Sequence, residues 1–151
     1  MIVRKMNPHE IDNMMILADY YRDEAEIPLD EYDENSIMAS IKQYASLAQY
    51  FLFVAMDGTR PVGLIAGYMT PTPWNKKLTN AHCQFIFLLK SHRTMDNFRM
   101  LYQSFEEWGR MNDVKQLTAG DIGINFERSE KLWSHLGFKP ECWMSKELTY
   151  E

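Results

Sequence analysis

Apolar residues recur along the chain at two spacings, and the switches between them divide it into elements. Ile2 to Met6 alternate weakly and stop at Asn7-Pro8, an N-cap residue followed by proline at a first helical position. From His9 to about Asp23, Ile11, Met14, Met15, Leu17, Ala18 and Tyr21 recur at three and four, which predicts a helix with one buried face. Pro28 and a crowd of like charges interrupt that pattern and predict a loop. Ile37, Met38, Ile41, Tyr44 and Ala45 restore helical spacing from about Glu34 to Leu47.

Strand chemistry begins at Tyr50. FLFVAM and PVGLIAGYM, joined by Asp57-Gly58-Thr59-Arg60, predict an antiparallel hairpin. Residues 70–79, with Pro71, Pro73, Trp74 and Asn75, read as a loop, and AHCQFIFLLK as a third long strand. Phe98, Leu101, Tyr102, Phe105 and Trp108 mark one face of a helix from Met95 to about Met111. VKQLTAGD predicts a strand, Asn125 or Phe126 to Leu136 a helix closed by Gly137, and ECWMSKEL a final strand. The order β α α β β β α β α β indicates one mixed α/β (α+β) domain over residues 1–151, a largely antiparallel sheet carrying helices on its faces.

Composition narrows the function classes. A length of 151 residues with 46% apolar and 25% charged residues suits a single core. The formal charge of −5 is concentrated: residues 23–34 hold seven acids and no Lys or Arg, and the remainder carries +2. A nearly neutral body argues against a nucleic-acid partner. No apolar run approaches a membrane span or a secretory signal, so a cytoplasmic protein without membrane partners is expected. Cys83 and Cys142 form neither a disulfide framework nor a paired metal spacing, and no metal is expected.

Two regions carry candidate chemistry. A strand that leaves its neighbour and runs directly into a helix exposes unpaired N–H groups beside the positive end of the helix dipole. That corner suits a pyrophosphate, and here it falls at residues 91–99. On the strand before it, period-two alternation puts His82, Gln84, Ile86 and Leu88 on one face and Cys83, Phe85, Phe87 and Leu89 on the other. His82 has the intrinsic acidity of a general base, although a histidine at a strand end is also an ordinary solvent-facing residue. Cys83 has no neighbouring activator.

The element order, the passage through Lys90, Ser91, His92 and Arg93 into a helix, and the phrase ERSEKLWSHLGFKPECWMSKEL resemble the GNAT acyltransferase superfamily. The tail, with Gly137-Phe138 at the end of a helix, is also similar to that of short stand-alone members from bacteria and tailed phages. The resemblance implies acetyl-CoA as acyl donor and an amine acceptor, with direct transfer between strands 81–90 and 114–120. Its phosphate-loop pattern aligns as Arg93, Thr94, Met95, Asp96, Asn97 and Phe98, so Arg93 is kept while both small residues are replaced. Leu88 and Leu89 would border the pantetheine arm, and Asn125 and Ser129 would approach it from the last helix. The family's proton-donating Tyr corresponds to Trp133, whose indole can donate a hydrogen bond but not a proton. His82 and Gln84 stand where the family places a base.

In the family, the loop between the first two helices borders the acceptor. Glu24, Glu26, Asp30 and Glu31 would there attract a cationic small-molecule or peptide amine; a solvated loop is the plainer alternative. Trp133 and Asp96 also suit a catalytically silent member that binds a host or regulatory protein. Either a monomer or a homodimer paired through the terminal strand at Trp143 fits the sequence.

Overall fold

The spacing changes resolve into nine elements in a computed structural model that describes residues 1–120, 126–141 and 146–149. They are β1 (Ile2–Lys5), α1 (Ile11–Glu24), α2 (Glu34–Ser46), β2 (Tyr50–Asp57), β3 (Arg60–Thr72), β4 (Asn75–Leu88), α3 (Met95–Met111), β5 (Gln116–Ala119) and α4 (Phe126–Ser134). Single 3-10 turns precede α1, α2 and α3. The helix starts follow from capping: Asp33 accepts from the Ser36 amide at 3.0 Å at the head of α2, and Thr94 accepts from the Asn97 amide at 3.1 Å at the head of α3. Gly137, at φ +88°, ends the turn after α4 in the left-handed region that glycine tolerates.

The sheet runs β1-β2-β3-β4-β5; neighbours are antiparallel except β5, which lies parallel to β4. α3 covers one face, where Phe105 stacks on Phe51 of β2 with centroids 4.8 Å apart. α1 and α2 cover the other, where Tyr21 and Tyr44 meet Phe85 edge-on. Met14, Leu17, Phe51, Ile65, Leu101 and Phe105 are the largest side chains removed almost wholly from water, and their burial supplies the main driving force for folding.

The expected loop at 70–79 is instead a tight hairpin. β3 continues to Thr72, Pro73-Trp74 make the turn, and β4 begins at Asn75. Pro71 is tolerated because β2 ends its pairing at Tyr68, leaving β3 an edge strand on that side. The Thr72 hydroxyl donates to the Asn75 carbonyl at 2.7 Å and closes the turn. Of the expected last strand, residues 142–145, Trp143 included, lie outside the described residues, and 146–149 are not in a strand. No described helix is long and apolar enough to cross a membrane.

Candidate active site at the parting of two strands

β4 carries an extra residue at the centre of the molecule. Ala66 pairs with Phe85 and Gly67 with Cys83, so Gln84 has no opposite number on β3 and forms a bulge. The bulge reverses the alternation expected from period two. His82, Phe85 and Phe87 face α1 and α2 with Tyr68 and Ala66, while Cys83, Ile86 and Leu88 lie on the α3 face with Gly67 and Ile65. Gln84 joins the first group, accepting from the Tyr44 hydroxyl of α2 at 2.9 Å. Position 67 has to be glycine, since a Cβ there would lie 1.9 Å from the His82 carbonyl oxygen.

At the same point β5 leaves. It pairs with β4 from Asn80 to Cys83, and the last contact among the described residues is the Gly120 amide donating to the Cys83 carbonyl at 3.3 Å. Beyond that, residues 84–88 have no strand partner on this side among the described residues. His82 sits at the parting. Its Nδ1 lies 2.8 Å from the Thr118 hydroxyl of β5, its ring lies 5.5 Å from that of Tyr68, and burial lowers its pKa from the usual histidine value. Burial likewise pushes the Tyr44 hydroxyl up to about 12, so it stays protonated as the donor to Gln84. A groove of about 840 Å³ opens here, lined among others by His82, Gln84, Tyr68, Thr118, Ser129 and Trp133.

The corner between β4 and α3 is built differently. Arg93 donates from Nε to the Leu88 carbonyl at 2.7 Å, and both its terminal nitrogens engage the Glu24 carboxylate, one at 2.5 Å. Thus Arg93, expected on a pyrophosphate, and Glu24, expected on the acceptor, are each other's partners. The Leu89 amide is committed to the Val62 carbonyl at 2.9 Å, and the Asn97 side chain to the His92 carbonyl at 2.9 Å. Phe98 is buried, Met95 is half-buried, and the Thr94 hydroxyl is used as the helix cap. Asp96 points into solvent with its side chain 93% exposed, so its charge is turned away from the corner. His92 donates from Nε2 to the Asp57 carboxylate at 2.9 Å, a contact that holds the Asp57 carboxyl below its usual range.

Trp133 lies on α4 in a core of aromatic rings, only 7% exposed, with Phe138, Phe98 and Tyr102 at centroid distances of 4.9, 5.3 and 6.3 Å. Ser129 is half-buried one turn earlier at the groove wall. Asn125 lies outside the described residues. Glu26, Asp30 and Glu31 are exposed on the segment between α1 and α2, and only Glu24 of the acidic set reaches the β4 corner. The structure therefore brings His82 and Gln84 together and Arg93 and Glu24 together, as two separate groups.

Thr118, Tyr44 and Tyr68 complete the His82 group and were not marked by sequence. Tyr44 and Tyr68 read as ordinary apolar positions of a helix and a strand. Thr118 meets His82 through a parallel pairing of residues 36 apart, which no local pattern announces.

No protein-family model and no curated protein matches the sequence. Solved structures do match in fold. A crystal structure of a probable acetyltransferase is 14% identical, with a TM-score of 0.79 over 100% of this chain and 99% of that one. A ribosomal-protein-alanine N-acetyltransferase from Brucella melitensis biovar Abortus 2308 is 14% identical, with a TM-score of 0.71 over 99% and 100%. An aminoglycoside acetyltransferase from an uncultured soil metagenomic sample, in complex with sisomicin, is 9% identical, with a TM-score of 0.77 over 99% and 95%. The mixed five-stranded sheet with its flanking helices is the fold of the GNAT acetyltransferases.

Proposed function

We propose that the protein is an N-acetyltransferase that moves an acetyl group from acetyl-CoA to a small-molecule or peptide amine. The observation that carries this reading is the bulge at Gln84 coinciding with the departure of β5 beside His82. The site fits the donor in two respects. Residues 84–88 offer a backbone edge to which an extended pantetheine arm adds like a strand. The first amides of α3, at Met95 and Asp96, have no acceptor within the helix and suit a pyrophosphate. The solved structures of like fold support an amine acceptor, since one is named for a ribosomal-protein alanine and another for aminoglycosides.

The donor supplies an activated acyl carbonyl. An acceptor ammonium and a thioester become an amide, a thiol and one proton, so the chain has to take a proton from the acceptor nitrogen before that nitrogen can attack. His82 suits this role: burial keeps the imidazole neutral at pH 7, ready to accept the proton and later release it to water. A backbone N–H of residues 84–88 polarises the carbonyl. Trp133 takes no part in proton transfer, and the leaving sulfur, of low basicity, takes up the second nitrogen proton. Thiol release from acetyl-CoA in the presence of an amine panel, followed with a thiol-reactive dye, tests the reading. Amine-dependent release supports it, and its absence across peptides, polyamines and amino sugars counts against it.

One observation favours a second reading, a silent member of the fold that binds a protein. Arg93 is already neutralised by Glu24, which leaves less positive charge for a pyrophosphate. Amine-dependent thiol release excludes that reading.

A further inference from the structure

We propose that Thr118 is a positioning residue that holds His82 as the Nδ1–H tautomer, leaving Nε2 as the nitrogen that accepts the proton. The Thr118 hydroxyl oxygen lies 2.8 Å from His82 Nδ1 and 3.4 Å from the Ala81 carbonyl oxygen. A hydroxyl has one hydrogen to give, and a carbonyl oxygen only accepts. With that hydrogen directed to Ala81, the remaining contact is satisfied only if the imidazole donates from Nδ1. A neutral ring carries one N–H, so Nε2 then holds the lone pair.

The sheet itself fixes this arrangement. Thr118 is the residue paired with His82 across the parallel β4–β5 ladder, so neither side chain has to search for the other. Nε2 has no hydrogen-bond partner among the described residues. It lies toward Gly120, where an added Cβ would come within 3.8 Å of it, at the end of β5 where the strands part. Among the described residues, the titratable groups that face the ring are Tyr68 of β3 and, through Gln84, Tyr44 of α2. The proton balance is simple. The acceptor's N–H bond breaks toward Nε2, the ring becomes an imidazolium that still donates from Nδ1 to Thr118, and the freed nitrogen pair attacks the acyl carbon.

This inference rests on the proposed acetyltransferase reading for its consequence, but the tautomer can be read without turnover. Long-range 1H–15N correlation spectra of the full chain at pH 7.5 should show His82 as Nδ1–H in the wild type and in Thr118→Ser. In Thr118→Val they should show a shift toward Nε2–H. In acetyl transfer, Thr118→Val should lose about tenfold in kcat with little change in KM for acetyl-CoA, and Thr118→Ser should retain most of it. A wild-type Nε2–H tautomer, or a Thr118→Val spectrum and kcat like wild type, would overturn the proposal. A wild-type Nδ1–H tautomer in a protein that acetylates nothing would remove the acetyltransferase reading and leave the tautomer assignment standing.

Discussion

The His82 and Arg93 ends of the stretch after the β4–β5 pairing solve opposite electrostatic problems. At the His82 end the groups are uncharged and half-buried: imidazole, threonine hydroxyl, glutamine amide and tyrosine, each held by a neutral hydrogen bond. At the Arg93 end the groups are carboxylates with donors fixed on them: Glu24 pairs with the Arg93 guanidinium, and Asp57 accepts from His92. The first arrangement leaves a nitrogen ready for a proton. The second ties α1 and the β2–β3 turn to the head of α3 and so fixes the corner mechanically. Residue type alone therefore did not locate the candidate site. The arginine of the phosphate-loop pattern is occupied with structure, while a histidine with no motif around it lines the groove.

The comparison can be broken most forcefully at His82. His82→Gln should lower kcat/KM by about 10²–10⁴ with acetyl-CoA binding kept, read by steady-state kinetics and calorimetry. Because burial lowers the His82 pKa and the neutral ring is the proposed active form, wild-type kcat/KM should rise with pH along an acidic limb whose midpoint lies below the ordinary histidine value. The variant should lack that limb.

Next in size is the bulge that separates the two ends. Gly67→Ala forces a Cβ onto the His82 carbonyl, so the β3–β4 register has to shift. A loss of about 3 kcal/mol in chemical denaturation, with loss of transfer, is expected. At the other end, Arg93→Ala leaves the Glu24 carboxylate, with its side chain 18% exposed, without its arginine. Stability should fall by about 2 kcal/mol, or roughly 4–8 °C in Tm by scanning calorimetry. The double variant Arg93→Ala/Glu24→Gln should recover part of it, as expected of a coupled pair. The smallest effect belongs to Asp96→Asn. Its carboxylate faces solvent, so the Kd for acetyl-CoA should change by less than about twofold, whereas a tenfold tightening would place that charge at the corner after all.

The sequence made the architecture legible wherever apolar spacing was long and capped. The helix expected over Met95 to about Met111 is α3, and Asn7-Pro8 and Gly137 marked ends that the backbone respects. Legibility failed where a single residue shifts register. A strict alternation through AHCQFIFLLK placed His82 with Ile86, but the unmatched Gln84 puts the histidine on the face of Phe85 instead. Nothing local in that run distinguishes a bulge from regular pairing, because the close approach beside it is permitted by Gly67 on the neighbouring strand. The Arg93–Glu24 contact spans 69 positions and was hidden for the same reason, and Trp133 read as a lost acid where the packing shows a core ring. Proline content misled at 70–79, since Pro71 lies where β3 has no partner needing its amide.

The central claim is that the cleft opened by the bulge and the departing β5 binds an acyl thioester. Isothermal titration of the full chain with acetyl-CoA tests it directly. Saturable 1:1 binding with a Kd in the micromolar range, retained in His82→Gln, is the predicted result, and no heat of binding at millimolar acetyl-CoA would contradict it.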